Sequence, residues 1–455
     1  MAGQIILGLL GDLAGRRCAL LMTTLFIVVG AILSAVLPQG ANLMLTLAVC
    51  RIITGLGVGG VYPLTAVASA EAMENASRGR AMLLVFAGQG FGQVLAPLTV
   101  YTLLTMNVAE DAAWRAALGL GAVPSLISLG ILLWRQHFVE NSVEARILRT
   151  AGDHPDNVAR REEQDRMRAQ DIDLHEGPET LGGLLTDIRY IKRLAGTGGT
   201  WFLFDAAFYA NVIGLPLVLE RMFELDMTSS SVKDVAGATT LILLIGLPGY
   251  YLSAALVDRI GLKRLQIFGF LALCALYAIL AFTATLVPPA VLFIMYGATF
   301  LFSNFGPNST TFCLPAETFP KRARTTYNGI SAAMGKLGAV LGTAIFPVVI
   351  DQGGLKAVLG LSSGIAFLGA LLTYWCVDTT SGMPPHKALI AQHARRGSDV
   401  ESTAPFVELP TVNAFAAVTA PPGYSTSKLL PTSASTSLRE DSNPFAEVER
   451  QLQRL

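Results

Sequence analysis

The residues whose chemistry stands out lie inside one apolar run. Asp205 lies within the run from 196 to 219, and helical spacing places Trp201 and Tyr209 on its stripe, one turn to either side. A charge in the middle of a membrane-length helix costs at least about 3 kcal/mol unless it faces a cavity or a partner. The spacing therefore favours Asp205 as part of a functional site, with a structural polar contact between helices as the alternative.

A cation lies in another apolar run. Lys336 follows Gly335 about one turn into the run from 330 to 350, and it is the only lysine that the sequence places deep within a span. A buried ammonium group needs an anion, which is either Asp205 or a bound ligand. The alternative is that the side chain extends to the membrane surface and carries its charge into water.

Three more polar side chains lie beside small residues or helix breaks. Tyr62 follows the glycine-rich run from 55 to 60, Gln89 lies between two glycines, and Asn308 follows the interruption at Gly306–Pro307. Small residues let helices approach closely, and a broken backbone is tolerated at membrane depth against protein or a water-filled cavity. These side chains are candidate ligand contacts, and ordinary contacts between helices are the alternative for Tyr62 and Gln89.

Together these side chains supply several hydrogen-bond donors, one cation and one carboxylate around a small anion. A carboxylate that takes up a proton while a monoanion binds, and then releases both, performs symport. The sequence shows no arrangement typical of a hydrolase triad, a phosphate-binding loop or a metal cluster. We therefore predict that the chain is not an enzyme and that it needs no cofactor or metal.

The composition is typical of a membrane protein. The chain has 455 residues, of which 52% are hydrophobic and 15% charged. Its basic and acidic residues balance at 33 each, so the net charge indicates no particular partner, and we expect no nucleic-acid partner. A spanning helix needs about 20 apolar residues, which makes the lipid bilayer an expected partner. The ten apolar runs of about this length are 18–37, 43–67, 81–106, 112–134, 196–219, 236–257, 265–286, 291–313, 330–350 and 357–377.

An internal repeat relates the two halves of the chain. Charged residues recur at an offset of 246 positions, in the pairs Asp12 and Asp258, Glu71 and Glu317, and Arg78 and Arg324. In an all-α membrane protein such a repeat predicts two pseudo-repeated helix bundles around a central cavity, which is the architecture of a two-half transporter.

Basic loops set the expected orientation. Lys and Arg cluster in the loops of one side, which the positive-inside rule makes cytoplasmic. Charge pairs and helix dipoles at these helix ends can hold the inward side shut, and a simple positive-inside anchor is the alternative. The candidate gate residues are Asp12, Arg16, Glu71, Asp258, Glu317 and Arg324.

Changes in composition divide the chain into four parts. We expect an incomplete N-terminal transmembrane bundle at 1–134, a cytoplasmic inter-bundle loop at 135–195, a C-terminal six-helix bundle at 196–378 and a cytoplasmic tail at 379–455. The tail is rich in Ser, Thr and Pro and has too few apolar residues to bury a core, so we expect it to be disordered. We recognise no retention signal in it, so the plasma membrane is the expected location.

Several motifs resemble the phosphate:proton symporter family of the major facilitator superfamily. They are GLLGDLAGRR at 8–17, the run from 51 to 63, TWFLFDAAFY at 200–209, NFGPNSTTF at 304–312, PAETFPKRAR at 315–324 and NGISAAMGKLGA at 328–339. The resemblance covers about 1–378 and implies twelve spans, alternating access by rocking of the two halves, and proton coupling through acids. It also implies that phosphate is contacted by Tyr62, Gln89, Trp201, Asp205, Tyr209 and Asn308, with Lys336 beside Asp205.

The chain departs from the family pattern at two points. It begins in the second half of the second span, so the first span and its acid are expected to be missing, and Val61 stands where the family usually has an aspartate. Asp205 is then the only acid that we place in the central cavity. An N-terminally truncated relative is the simplest account, and a natural short form without activity is the alternative.

Three functions stay open at this point. The first is a phosphate:proton symporter or a close transporter of organophosphates or another small anion. The second is a transport-incompetent, receptor-like paralogue that binds the anion and signals through the tail, which suits a retained ligand set with fewer proton acids. Sugar transport is weaker, because sugar sites rely on neutral hydrogen-bonding groups whereas Lys336 and Asp205 favour an anion.

Overall fold

The computed structural model describes residues 1–38, 40, 42–72, 78–134, 188–215, 218–219, 232–283, 286–319 and 323–377. Every regular element in these ranges is a helix. Residues 135–187 of the predicted inter-bundle loop and the whole predicted tail at 379–455 lie outside the described residues, as do the side chains of Glu71 and Arg78. The predictions made for those segments stay predictions.

The helices of the N-terminal bundle follow the predicted apolar runs. They are α1 (Ala2–Leu13), α2 (Arg16–Ala35), α3 (Leu43–Ala72), α4 (Arg78–Thr105), α5 (Glu110–Leu120) and α6 (Ala122–Trp134). α3 and α4 continue through Pro63 and Pro97, which membrane helices tolerate because neighbouring groups satisfy the freed carbonyls. α5 and α6 are separated at Gly121 and together cover the predicted run 112–134.

The helices of the C-terminal bundle are interrupted at several points. Its helices are α7 (Ile188–Leu194), α8 (Thr200–Ile213), α9 (Val232–Gly246), α10 (Pro248–Ile260), α11 (Leu262–Thr283), α12 (Pro289–Phe305), α13 (Pro307–Thr318) and α14 (Arg324–Cys376). Prolines that lack a backbone N–H begin α10 and α13, and so they break two of the predicted spans. Gly354, with φ 66° and ψ −171°, divides α14 into two arms that match the last two predicted runs.

The internal repeat is visible in the backbone. Gly15 links α1 to α2 with φ 91° and ψ 150°, and Gly261 links α10 to α11 with φ 83° and ψ 149°. Both glycines adopt a positive φ, which only glycine reaches without steric cost. They are 246 positions apart, which is the offset of the charged pairs, so the backbone repeats at the spacing that the sequence predicts.

Eight of the described helices or helix pairs are long and apolar enough to cross a membrane, by length and composition alone. α14 counts once among them although it contains two predicted spans, and α1 is a shorter apolar helix of 12 residues. Outward-facing apolar side chains such as Ile127, Phe282 and Trp375 are exposed by 59%, 77% and 64%. Such a surface would be unfavourable in water and suits the hydrocarbon of a bilayer.

Closely packed glycines lie at seams where the two bundles meet. In the α1–α14 seam, a Cβ atom on Gly8 would lie 3.0 Å from the carbonyl oxygen of Thr325 and 3.5 Å from Cα of Gly329. In the α4–α10 seam, a Cβ atom on Gly90 would lie 2.7 Å from the ring of Tyr250. Larger side chains at these glycines would separate the helices, so the seams depend on the absence of a side chain.

Candidate functional site

A π-helical turn precedes the helix on which the candidate site is built. α7 runs into a π-helical stretch from Ala195 to Gly199, and α8 begins at Thr200. Such turns insert an extra residue into a helix and occur frequently at functional sites. The hydroxyl of Thr197 in this turn lies 3.0 Å from the hydroxyl of Ser331 on α14. This contact helps to determine which face of α8 meets α14.

The ammonium group of Lys336 lies at the centre of the site. It donates to Asp205 Oδ2 at 2.9 Å and to the Tyr209 hydroxyl at 2.8 Å. It also lies 4.1 Å from the ring centroid of Tyr209 and 5.1 Å from that of Tyr62, within the range of cation–π attraction. Lys336 therefore turns inward to a carboxylate and two aromatic rings, and its head group does not extend to the membrane surface.

Burial makes this ion pair unusual. The side chain of Asp205 is 2% exposed and that of Lys336 is 23% exposed, so the carboxylate is enclosed and the lysine side chain is only partly covered. Removing either partner from a buried pair leaves an uncompensated charge, which is strongly destabilising. Another anion at Lys336 would therefore be repelled by Asp205 for as long as that carboxylate is ionised.

Trp201 closes one side of the cluster. Its side chain is buried against α14, where a Cβ atom on Gly335 would lie 2.5 Å from the indole Cδ1. Its ring meets Tyr62 edge to face at a centroid distance of 6.1 Å. Tyr62 belongs to α3, so the aromatic wall contains residues from both bundles, as the sequence predicted for a site between the halves.

Gln89 joins the cluster through Tyr62. The Tyr62 hydroxyl donates to Gln89 Oε1 at 3.5 Å, at the long end of the hydrogen-bond range. Gln89 lies on α4, so α3 and α4 of the N-terminal bundle both reach the site. Six of the seven predicted ligand residues are thus connected by contacts around Lys336.

Asn308 belongs to a neighbouring network. Its amide donates to the Tyr250 hydroxyl at 2.9 Å and to Asn304 Oδ1 at 2.8 Å, and Tyr250 donates in turn to Gln93 Oε1 at 3.1 Å. Tyr250 and Gln93 are not among the site residues predicted from the sequence. The signals that identify them are the one-turn spacing from Gln89 to Gln93 and the helix break directly before Tyr250.

Asp12 connects the two bundles at the predicted gate. Its Oδ1 accepts from Arg16 at 2.8 Å, and its Oδ2 accepts from the backbone N–H and the hydroxyl of Thr326, each at 2.7 Å. Thr326 lies in the first turn of α14, where a carboxylate compensates free N–H groups and the positive end of the helix dipole. This contact closes the α1–α14 seam.

The other predicted gate residues are placed differently. Arg324 is buried and donates to the carbonyl of Phe319 at 3.1 Å, and Glu317 lies near Gly79 across the bundles, since a Cβ there would be 3.5 Å from its Oε1. Asp258 is exposed, and its side chain forms no hydrogen bond or ion pair within the described part of the chain. The side chain of Glu71 lies outside the described residues, so its gate role stays a prediction.

The charged groups of the central cluster consist of one cation and one carboxylate, with tyrosine hydroxyls and a glutamine amide around them. Among the described residues, no group of three or more His, Cys, Asp or Glu side chains could hold a metal ion. This set offers a ligand one positive charge, one carboxylate and several neutral hydrogen-bonding groups.

Comparison with known proteins decides the family. Residues 1–387 match the family described as Sugar (and other) transporter. The chain belongs to this family.

Relatives within this transporter family include two proteins named for phosphate. The inorganic phosphate transporter PT2 of Toxoplasma gondii is 31% identical over 83% of the chain, and the chain spans 62% of the length of that relative. The low affinity inorganic phosphate transporter 1 of Petunia hybrida is 32% identical, with 83% of the chain and 77% of the relative covered.

Solved structures show the fold of this family member. The major facilitator superfamily proton:xylose symporter XylE matches with a TM-score of 0.64 at 20% identity, over 86% of each chain. The predicted all-α major facilitator fold is therefore confirmed, and the chain is an integral multi-pass membrane protein of that superfamily.

Proposed function

We propose that this chain transports inorganic phosphate by alternating access and that Asp205 couples the transport to protons. The observation that supports this proposal best is the position of Lys336, whose ammonium contacts Asp205 and Tyr209 of one bundle and lies over the ring of Tyr62 of the other. A cation held between the two moving halves suits a small anionic cargo. The names of the relatives from Toxoplasma gondii and Petunia hybrida point to the same cargo.

The ion pair suggests how protons and phosphate are linked. While Asp205 is ionised, it neutralises Lys336 and competes with an entering anion for the same ammonium hydrogens. A proton on Asp205 removes this competition, so the anion and the proton enter together and leave together. The hydroxyl of Tyr209 and the ring of Tyr62 keep the ammonium in place during the exchange.

The proposed ligand set is the one predicted from sequence. It consists of Tyr62, Gln89, Trp201, Asp205, Tyr209, Asn308 and Lys336. The contacts around Lys336 connect six members, with Gln89 and Trp201 joined through Tyr62. Asn308 would first have to release a hydrogen bond.

A receptor-like role is the second candidate, and one observation favours it. Val61 directly precedes Tyr62 on α3, and a valine supplies no carboxylate for proton movement. A site that binds phosphate without completing the transport cycle would retain its affinity for phosphate and lose uptake.

We propose the plasma membrane as the location, with the loop at 135–195 and the tail at 379–455 in the cytoplasm.

The test is uptake of radiolabelled phosphate into proteoliposomes that contain the full chain, with and without an inward proton gradient. We expect uptake that the gradient accelerates, that Asp205→Asn abolishes and that Asp234→Asn retains, because Asp234 is an exposed acid in the first turn of α9. An uptake rate that is the same with and without the proton gradient would refute proton coupling. Saturable phosphate binding without uptake would support the receptor, and uptake of radiolabelled glycerol phosphate but not of radiolabelled phosphate would assign an organophosphate.

A further inference from the structure

Both amide hydrogens of Asn308 are occupied in this structure. The amide donates to the Tyr250 hydroxyl at 2.9 Å and to Asn304 Oδ1 at 2.8 Å. A neutral asparagine has two side-chain N–H hydrogens, so neither is left for an anion. Contact between this amide and phosphate therefore requires that one of the two hydrogen bonds break.

Asn304 is the more firmly held of the two partners. Its own amide donates to the carbonyl of Gly246 at 3.0 Å, at the end of α9. In a continuous helix, the backbone N–H of Tyr250 would bond to this carbonyl, which lies four residues earlier. Because the helix breaks before Pro248, that N–H bonds instead to the carbonyl of Leu247 at 3.3 Å. Asn304 thus satisfies a carbonyl at a helix break within one bundle, and a buried unpaired carbonyl would be costly. The hydrogen bond to Tyr250 is the one that an anion would replace.

Tyr250 also connects Asn308 to the other bundle. Its hydroxyl donates to Gln93 Oε1 on α4 at 3.1 Å. Its ring packs against Phe86 at a centroid distance of 5.8 Å and against the bare backbone of Gly90. The path of hydrogen bonds from Asn308 through Tyr250 to Gln93 therefore crosses the α4–α10 seam.

We propose that Tyr250 is a positioning residue that competes with the anion for the Asn308 amide and, through Gln93, couples anion capture to the α4–α10 seam. This inference rests on the proposed function, in which Asn308 contacts phosphate. When an N–H of Asn308 donates to the anion instead of to Tyr250, the Tyr250 hydroxyl loses this donor and keeps only its hydrogen bond to Gln93. Binding of the anion thereby disconnects Asn308 from the hydrogen bond between Tyr250 and Gln93, which joins the two bundles.

The first test is the affinity of the purified full chain for phosphate in lipid nanodiscs. Tyr250→Phe keeps the ring against Phe86 and Gly90 and leaves one Asn308 hydrogen free. We expect the Kd for phosphate to fall by about two- to tenfold, the range of one net hydrogen bond. A purely supporting role predicts a higher Kd. The matched control is Tyr251→Phe, since Tyr251 is adjacent and 39% exposed, and we expect it to leave the Kd unchanged.

A second variant tests the connection to α4. Gln93→Met removes the acceptor and leaves the hydroxyl of Tyr250 in place but less firmly held. We expect a smaller fall in Kd, and we expect the double variant to match Tyr250→Phe alone, because both changes act on the same hydroxyl. Additive effects of the two substitutions, or a Kd that rises in Tyr250→Phe, would overturn the proposal.

A measurement without ligand separates this inference from the proposed function. Spin labels at Thr105 and Val232 lie on α4 and α9, which meet where a Cβ atom on Gly237 would be 3.1 Å from the ring of Tyr101. The labels report the distance between the bundles by pulsed electron paramagnetic resonance. In phosphate-free protein, Tyr250→Phe and Gln93→Met should broaden the distance distribution relative to Tyr251→Phe. Unchanged distributions would overturn the coupling to the seam. If the wild-type chain binds no phosphate, the proposed function and the competition at Asn308 both fail, whereas the distance measurement still decides whether Tyr250 joins the bundles.

Discussion

Asp12 and Thr326 are 314 positions apart, and two hydrogen bonds join them, because Asp12 Oδ2 accepts from both the backbone N–H and the hydroxyl of Thr326 at 2.7 Å. Arg80 occupies the position that corresponds to Thr326 in the internal repeat, and both Arg80 and Asp258 are exposed. The repeat is therefore present in the sequence and the backbone turns, but this gate contact occurs at one of its two equivalent places.

Replacing Asp12 tests the gate contact. Asp12→Asn keeps the size of the side chain but removes the charge that faces Arg16 and the helix N-terminus. A hydrogen bond to a charged group contributes about 1.5–3 kcal/mol, so we expect roughly a tenfold slower phosphate uptake with a Kd changed by less than twofold. Asp258→Asn should slow uptake less than twofold. Equal losses in the two variants would contradict the asymmetry of the gate.

Removing Lys336 tests the buried ion pair. Lys336→Met leaves the carboxylate of Asp205 enclosed without a partner, and breaking such a pair costs about 3–5 kcal/mol of unfolding free energy. Adding Asp205→Asn removes the uncompensated charge, so we expect the double variant to recover most of the stability while uptake stays absent. Thermal melting in detergent measures the stability, and a double variant no more stable than Lys336→Met would contradict the pairing.

Gly335 tests the packing of Trp201. In Gly335→Ala the new Cβ would lie 2.5 Å from the indole Cδ1, so the ring must move. Overpacking of this kind costs about 1–3 kcal/mol, and we expect a lower melting temperature and phosphate affinity reduced about tenfold. Gly360→Ala on the same helix is the control, since no atom lies within 4 Å of its added Cβ. Equal affinities in the two variants would show that the indole position does not matter.

Val61 tests the charge preference of the site through pH. Val61→Asp adds a carboxylate beside Tyr62, which repels doubly charged phosphate more strongly than the singly charged form. Since the doubly charged form increases with pH, we expect uptake by this variant to fall relative to wild type more steeply at alkaline than at acidic pH. Val61→Asn, similar in size and uncharged, should follow the wild-type profile. Parallel profiles for all three proteins would contradict the electrostatic argument.

The stripe on α8 shows what local pattern is able to predict. Trp201, Asp205 and Tyr209 recur at helical spacing within an apolar run. The structure joins Asp205 and Tyr209 to Lys336 and places Trp201 against the neighbouring Gly335. The π-helical turn before them was not predicted, because its residues Ala195–Gly199 carry no periodic signal of their own. The ligand roles of these side chains stay predictions until binding is measured.

The amino-acid sequence by itself determined the helices, the repeat of 246 positions and the polar stripe, because these depend on hydrogen bonding and periodicity within a short segment. Only the tertiary structure decided that Lys336 pairs with Asp205 across 131 positions, that Asn308 donates to Tyr250, and that Asp12 rather than Asp258 closes a seam. These choices depend on how distant helices approach one another. Glycine contacts, helix breaks and burial in both bundles together determine that approach. No single segment of the sequence contains all of them.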